Sequence, residues 1–181
     1  MHRFYDPNIA TTLQLSEEES KHCVRVLRLT EGDEIEVVDG AGNLYLCKIA
    51  MAHPKRCGVE IVEHKECPPH WGHQIVLCVA PTKNLDRMED MADRVTEMGV
   101  DRIIPLLCRN SERKVLKTDR IQKILVSAMK QSLKAQLPQL DELTPFKQLM
   151  QMPFEGNKYI AYCDMMPVYY THLRAHETLM N

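Results

Sequence analysis

Basic side chains able to grip an oxyanion gather in the middle of this 181-residue chain. Lys83 follows one apolar run, Arg109, Arg113 and Lys114 follow a second, and Arg120, Lys123, Lys130 and Lys134 recur along a stretch of helical pattern. At 100° per residue those last four fall within an arc of about 80°. Such a stripe, with the basic loop before it, could contact phosphates. It could equally be a solvated helix face, because surface lysines are common. Lys83 is more suggestive, since a lysine at a strand exit can reach a phosphate or another polar ligand, although it too may simply face solvent. Glu97 reads either as a helix-surface carboxylate or as a group that orients Lys83 or a nearby arginine. Gln131 lies on the border between the basic and apolar faces of its helix.

The elements that must position these groups are legible around them. Gln74–Ala80 reads as a buried strand, and from Asn84 the pattern turns helical, with Leu85, Met88, Met91, Ala92, Val95 and Met98 at helix spacing. Gly99 is placed to stop that helix, and Ile103–Leu107 is the next strand. Strand, helix and strand at this length make a βαβ unit with a parallel pair. Thr118 can cap a following helix whose buried stripe is Ile121, Ile124, Leu125, Ala128, Met129 and Leu133, and which ends before Pro138. Phe146–Met150 suggests a short helix and Tyr159–Cys163 another core strand.

The first sixty-odd residues have a different character. Ser16 and Glu19 form a capping box opening a short helix that carries Val24 and Leu27 inward, with Arg25 and Arg28 one turn apart on a more polar side. Strands are expected at 35–38, 44–51 and 57–63, with a turn at Asp39–Asn43. The linker of residues 64–73, HKECPPHWGH, breaks regular structure with two prolines and a glycine. It holds His64, Cys67, His70 and His73, all zinc ligands by type. The prolines keep one helix from aligning all four, so the stretch reads as a His-rich linker and no metal is assigned.

Bulk properties bound the function. A composition 44% hydrophobic and 27% charged is that of an ordinary soluble domain, long enough for one large or two small cores. A net charge of −2 and pI of about 6.4 leave any nucleic-acid binding to a local patch. Seven scattered cysteines suit reduced thiols in a cytoplasm. The polar start MHRFYDPN has no signal-peptide core, and no apolar run reaches membrane-spanning length. No dinucleotide fingerprint, P-loop, nucleophile elbow or H-E-x-x-H occurs. Cys78 and Cys108, inside apolar strands, read as buried and inert thiols.

Three stretches carry a family resemblance. KHCVRVLRLTEGDEIEVVDGAGNLYLCKI, the segment from Lys83 through TEMGVDRIIPL to the Arg109–Lys114 loop, and SAMKQSLKAQLPQL occur in order. Together they resemble the RsmE family, the 16S ribosomal RNA (uracil-N3) methyltransferases of the SPOUT superfamily, over about residues 1–164. The resemblance implies an α/β protein with a β-rich N-terminal domain: a PUA-like RNA-binding barrel at 1–68, the front part of a SPOUT methyltransferase domain at 74–164, and a non-family tail at 165–181. It implies methylation of N3 of a uridine in the small subunit's 16S ribosomal RNA from S-adenosylmethionine, in the cytoplasm, by a homodimer. Arg25, Arg28, Lys83, Arg87, Arg109, Lys114, Lys130 and Lys134 would bind RNA, and Arg113 and Gln131 are the catalytic candidates. No residue is assigned as general base. The family's G-P-E-G-G knot loop and its later cofactor segment do not occur in this sequence, so no cofactor-binding residue is assigned. The chain as written is then expected to be inactive; the alternative is a catalytically dead RNA-binding fragment. A short amphipathic helix is expected at 171–180.

Overall fold

Alternating apolar residues dominate the first third of the chain, and a computed structural model, which describes residues 1–162 and 174–177, folds them into one four-stranded sheet. Its strands are β1 (His2–Tyr5), β2 (Glu34–Val38), β3 (Asn43–Met51) and β4 (Gly58–Glu66), in that order. Ile35 and Val37 of β2, and Tyr45, Cys47 and Ile49 of β3, point to one buried face, as the period of two requires. β1 lies parallel to β2 and was not foreseen: its four residues bury only Phe4, too few for a pattern. Arg3 faces Glu36 across that pair, with Nη2 and Oε2 2.7 Å apart. β4 runs three residues further than expected, so His64, Lys65 and Glu66 are strand and not linker. Pairing with Asn43–Tyr45 continues that far, and the breakers Pro68, Pro69 and Gly72 all lie beyond it.

A short helix α1 (Ile9–Thr12) precedes α2 (Glu17–Lys21), which runs on as a π-helical turn at His22–Val26. The capping box is half closed. Ser16 Oγ accepts the Glu19 N–H at 3.4 Å, but the Glu19 carboxylate turns away to Lys130. Val24 and Leu27 pack on the core as expected, and Arg25, Val26 and Arg28 face solvent.

The next elements are β5 (Val76–Val79), α3 (Leu85–Met98), β6 (Arg102–Leu107), α4 (Thr118–Gln131), β7 (Gln139–Leu140) and β8 (Thr144–Pro145). β5, β6 and β7 form a parallel sheet in that order, and β8 pairs with β6. Asn84 caps α3 through its side chain and Gly99, at φ +92°, ends it. Met88, Ala92, Ile103, Ile121 and Leu125 form the core beneath the helices. Several expectations fail at the margins of these elements. β5 is a partly exposed edge strand rather than a buried one, because only β6 lies beside it; Cys78 is accordingly exposed. Met98 and Leu133 sit at helix ends, past the packed turns, and are exposed. Lys117, not Thr118, occupies the N-cap of α4; Thr118 Oγ1 instead donates to Glu142.

Residues Met1–Phe146 form one compact unit. Within it, Val38 from the β-rich part, and Met129 and Ala135 from the helical part, share a third apolar cluster. The turn after β2 comes against the chain after α4, where Gly40 O accepts the Leu137 N–H at 2.8 Å. Gly40 has φ +80°, and a Cβ there would stand 3.0 Å from Tyr5 Cε2 and 3.1 Å from Leu137 Cβ, so glycine is required twice over. The Lys130–Glu19 pair, 2.6 Å long and largely buried, completes the junction.

The second unit, Lys147–Asn181, is described in part. After α5 (Phe146–Leu149), β9 (Tyr159–Tyr162) pairs antiparallel with β10 (Arg174–Glu177). Tyr159 and Ile160 are exposed, not core. Residues 174–177 are strand where a helix was expected; the rest of the expected 171–180 helix, and Cys163, lie outside the described residues.

Because removing one partner of a largely buried pair strands the other charge, Lys130→Met should cost about 3 kcal/mol of stability, read as a lower urea midpoint. The double variant Glu19→Gln/Lys130→Met should recover most of that loss. A single variant as stable as the wild type would remove the pair from the account of the junction.

Candidate functional site

Parallel strands open a crevice at their carboxyl ends, and here that crevice collects charge. Lys83 leaves β5, and Glu112, Arg113 and Lys114 lie in the loop after β6. With Val115 they line an open cleft of about 560 Å3. Arg113 Nη2 donates to the Lys83 carbonyl at 2.7 Å, which pins one loop to the other. Its Nε is buried with no hydrogen-bond partner among the described residues. Lys83 Nζ is 3.8 Å from Glu112 Oε2, both exposed, a pair that water and salt screen. The cleft therefore offers three cations, one of them anchored by the opposite loop. An oxyanion is the complementary ligand.

The remaining expected residues are distributed around this cleft and beyond it. Arg87 is exposed on the first turn of α3, and Arg109 is exposed in the loop after β6. Gln131 is not brought to the cleft. α4 starts beside the β6 exit and runs back along the sheet, so its thirteen-residue rise puts Gln131 about 20 Å from Thr118. Arg113 and Gln131 therefore do not meet within one chain. The basic stripe of α4 is largely committed elsewhere. Arg120 pairs with Glu89 at 2.7 Å, Lys123 stands 3.8 Å from Glu18, and Lys130 is bound to Glu19. Lys134 is half-buried beyond the helix end. Sequence spacing correctly put these cations on one face but could not show that carboxylates on α2 and α3 lay opposite. Arg25 and Arg28 are exposed and make no ion pair among the described residues. Arg28 takes φ +57°, a left-handed conformation that no sequence signal announces.

The histidine-rich stretch is occupied with other contacts. His64 stacks on Tyr45 at 4.9 Å and meets Asn43 Oδ1 at 2.9 Å. His70 and His73 flank Trp71, whose Nε1 donates to the Met98 carbonyl. Among the described residues no three His, Cys, Asp or Glu side chains gather as a metal site. The thiols divide by burial. Cys47 is enclosed and burial pushes it up to about 11. The hydrogen bond that Cys23 shares with Cys57, together with burial, holds the Cys23 thiol far above its ordinary range.

Comparison with known proteins adds an independent line. A family model described as an RNA methyltransferase domain matches residues 69–175, and one described as an RNA methyltransferase PUA domain matches residues 15–62. A ribosomal RNA small subunit methyltransferase E from Aquifex aeolicus is 33% identical over 139 residues, covering 73% of this chain and 58% of that protein. The chain thus spans under three fifths of that relative's length. A probable rRNA-methyltransferase structure from Porphyromonas gingivalis superposes with a TM-score of 0.84 at 34% identity, over 91% of this chain and 69% of that one. A putative methyltransferase from Legionella pneumophila, solved with bound SAM, gives 0.78 at 25% identity, over 93% and 72%. The two architectures, a PUA-like domain and an α/β methyltransferase layer, are those expected from the sequence. Among the described residues no helix is long and apolar enough to cross a membrane.

A disulfide reagent at pH 8 should label exposed Cys78 well before Cys47, as followed by peptide mass spectrometry. Raising the pH should speed Cys47 labelling about tenfold per unit until about pH 11. Cys47 reacting ahead of Cys78 would contradict the burial assigned to both.

Proposed function

The chain belongs to the RsmE family of RNA methyltransferases, and from that membership we propose that it serves the S-adenosylmethionine-dependent methylation of N3 of a uridine in the 16S ribosomal RNA of the small subunit. The cytoplasm as its location and a homodimer as its working form belong to the same proposal. The observation that carries the reading is the cationic cleft at the strand ends. Arg113 is pinned there to the Lys83 backbone, and Lys83 and Lys114 stand beside it. That arrangement suits a phosphate of an RNA strand. Arg25 and Arg28, free of carboxylates among the described residues, supply a second set of phosphate contacts from the β-rich domain. Arg87, Arg109 and Lys134 extend the basic surface; Lys130 is assigned to structure.

This cleft does not suit the methyl donor. A sulfonium is itself a cation, and the cleft faces it with Lys83, Arg113 and Lys114 against the single carboxylate of Glu112. What this part of the chain contributes is grip and orientation. It holds the backbone on either side of a uridine while the base is turned out of its stack.

Methylation at N3 removes the pairing edge of uracil, so reverse transcriptase should stop at one uridine of small-subunit RNA. Deleting the gene should abolish that stop and restoring it should bring the stop back. An unchanged pattern of stops would refute the reading. Separately, Arg25→Ala/Arg28→Ala should weaken binding to small-subunit RNA and reduce the steepness of log K against log salt by about 1.4 to 1.8. An unaltered slope would show that neither arginine neutralises a phosphate.

A further inference from the structure

A second cavity, of about 450 Å3, lies where α2 meets α4. Tyr5, Glu19 and His22 line one side, and Lys123, Val126 and Ser127 the other. Glu19 is only 8% exposed, and its Oε1 is taken by Lys130. Its Oε2 is buried with no hydrogen-bond partner among the described residues. His22 Nδ1 stands 4.0 Å from it, beyond hydrogen-bond reach. A carboxylate oxygen left so is costly, and a ligand N–H would relieve it.

The surroundings specify the ligand further. Tyr5 and Val126 give an aromatic and an apolar wall, and the volume falls in the range of small-molecule sites. At the rim Lys123 is exposed and faces Glu18, with 3.8 Å between Nζ and Oε1. A buried acceptor behind an aromatic and an apolar wall matches a flat group that carries an N–H, and an unpaired nucleobase is such a group. Unpaired RNA bases are read in this way on their edges, and a glutamate accepts from an exocyclic amine. Uracil suits the site less well, because its N3–H sits between two carbonyl oxygens that a carboxylate repels.

We propose that this cavity is a base-reading subsite, which takes one unpaired nucleobase bearing an exocyclic amine and hydrogen-bonds that amine through Glu19 Oε2. The proposal rests on the RNA-binding reading above and adds to it a specificity for bases flanking the target. Oε1 stays with Lys130, and because Oε2 is buried the base reaches it as the half-exposed His22 ring, 4.0 Å away, turns aside.

The test measures binding of the purified chain to a fluorescent twelve-nucleotide oligouridylate and to three versions with one central adenosine, cytidine or guanosine. The substituted strands should bind about tenfold tighter than the all-uridine strand, the gain expected of one hydrogen bond to a charged group. Ser127→Phe, at an exposed position of α4, fills the cavity without touching the ion pair and should bring all four strands to one affinity. Glu19→Gln should do the same. Equal affinity for all four strands in the wild type would overturn the subsite, as would a preference that survives Ser127→Phe. Displacement of the adenosine strand by S-adenosylmethionine would overturn it too, by giving the cavity to the cofactor. Failure of the wild type to bind any strand, or small-subunit RNA, would instead bring down the RNA-binding reading itself.

Discussion

A lysine ammonium and a glutamate carboxylate that are both largely shut away from water must stay together, because neither can be left alone cheaply. Lys130 and Glu19 are such a pair, 111 residues apart in sequence and 2.6 Å apart in space. Lys130 sits in the last turn of α4, and Glu19 sits in α2. The same α4 buries Ile121 and Leu125 in the α/β core, while Met129 joins Val38 of the β-rich sheet. One helix is thus shared by two cores, and the ion pair holds it against the second. The capping box stays half closed because the Ser16 N–H is already donated to Asp6 Oδ2 at 2.8 Å, while Glu19 Oε1 is held by Lys130. The helix continues into the π-helical turn that carries Arg25.

Charge placement, rather than net charge, decides what the surface can bind. The chain carries 23 Lys and Arg against 25 Asp and Glu, a balance that by itself argues against a nucleic-acid partner. The structure resolves the contradiction by pairing. Arg3, Arg102, Arg120 and Lys130 each lie within 2.7 Å of a carboxylate oxygen. Arg25, Arg28, Arg87, Arg109 and Lys114 have no such partner among the described residues. Acidic residues are thus consumed at the seams between elements, and uncompensated cations are left at the strand ends and on the β-rich domain.

The strongly periodic elements were readable from sequence, and the places where partners decide were not. α3 and α4 follow from apolar spacing, and Gly99 marks the end of α3, because helix patterning is local. β1 was invisible: four residues gain strand geometry only from pairing with β2, thirty-odd residues away. The exposure of β5 and Cys78 was misread for the same reason, since an apolar run does not say how many neighbours its strand will have. In the cleft, βαβ geometry brings successive strand exits side by side, and Arg113 meets the Lys83 carbonyl there. Gln131 was drawn in by a motif, and motifs carry no distance. Glu19 was read only as a capping residue, because a cap is local and a junction is not.

Placing Arg113 and Gln131 at opposite ends of α4 constrains how an RNA strand can use the domain. The cleft lies at the first turn of α4, and Lys130 seats the stretch bearing Arg25 and Arg28 at its last. A strand that engages both must run along about 20 Å of protein. Each patch alone makes a few screened phosphate contacts, which are weak at physiological salt. Joined on one rigid unit they act on the same strand at high effective concentration, and affinity then depends on their spacing as much as on their charges. That spacing is set by the rise of one helix and by the ion pair at its end. On the proposed RNA-binding reading, a cut in the pair would act through spacing as well as charge, because it would loosen the distance over which the two patches cooperate.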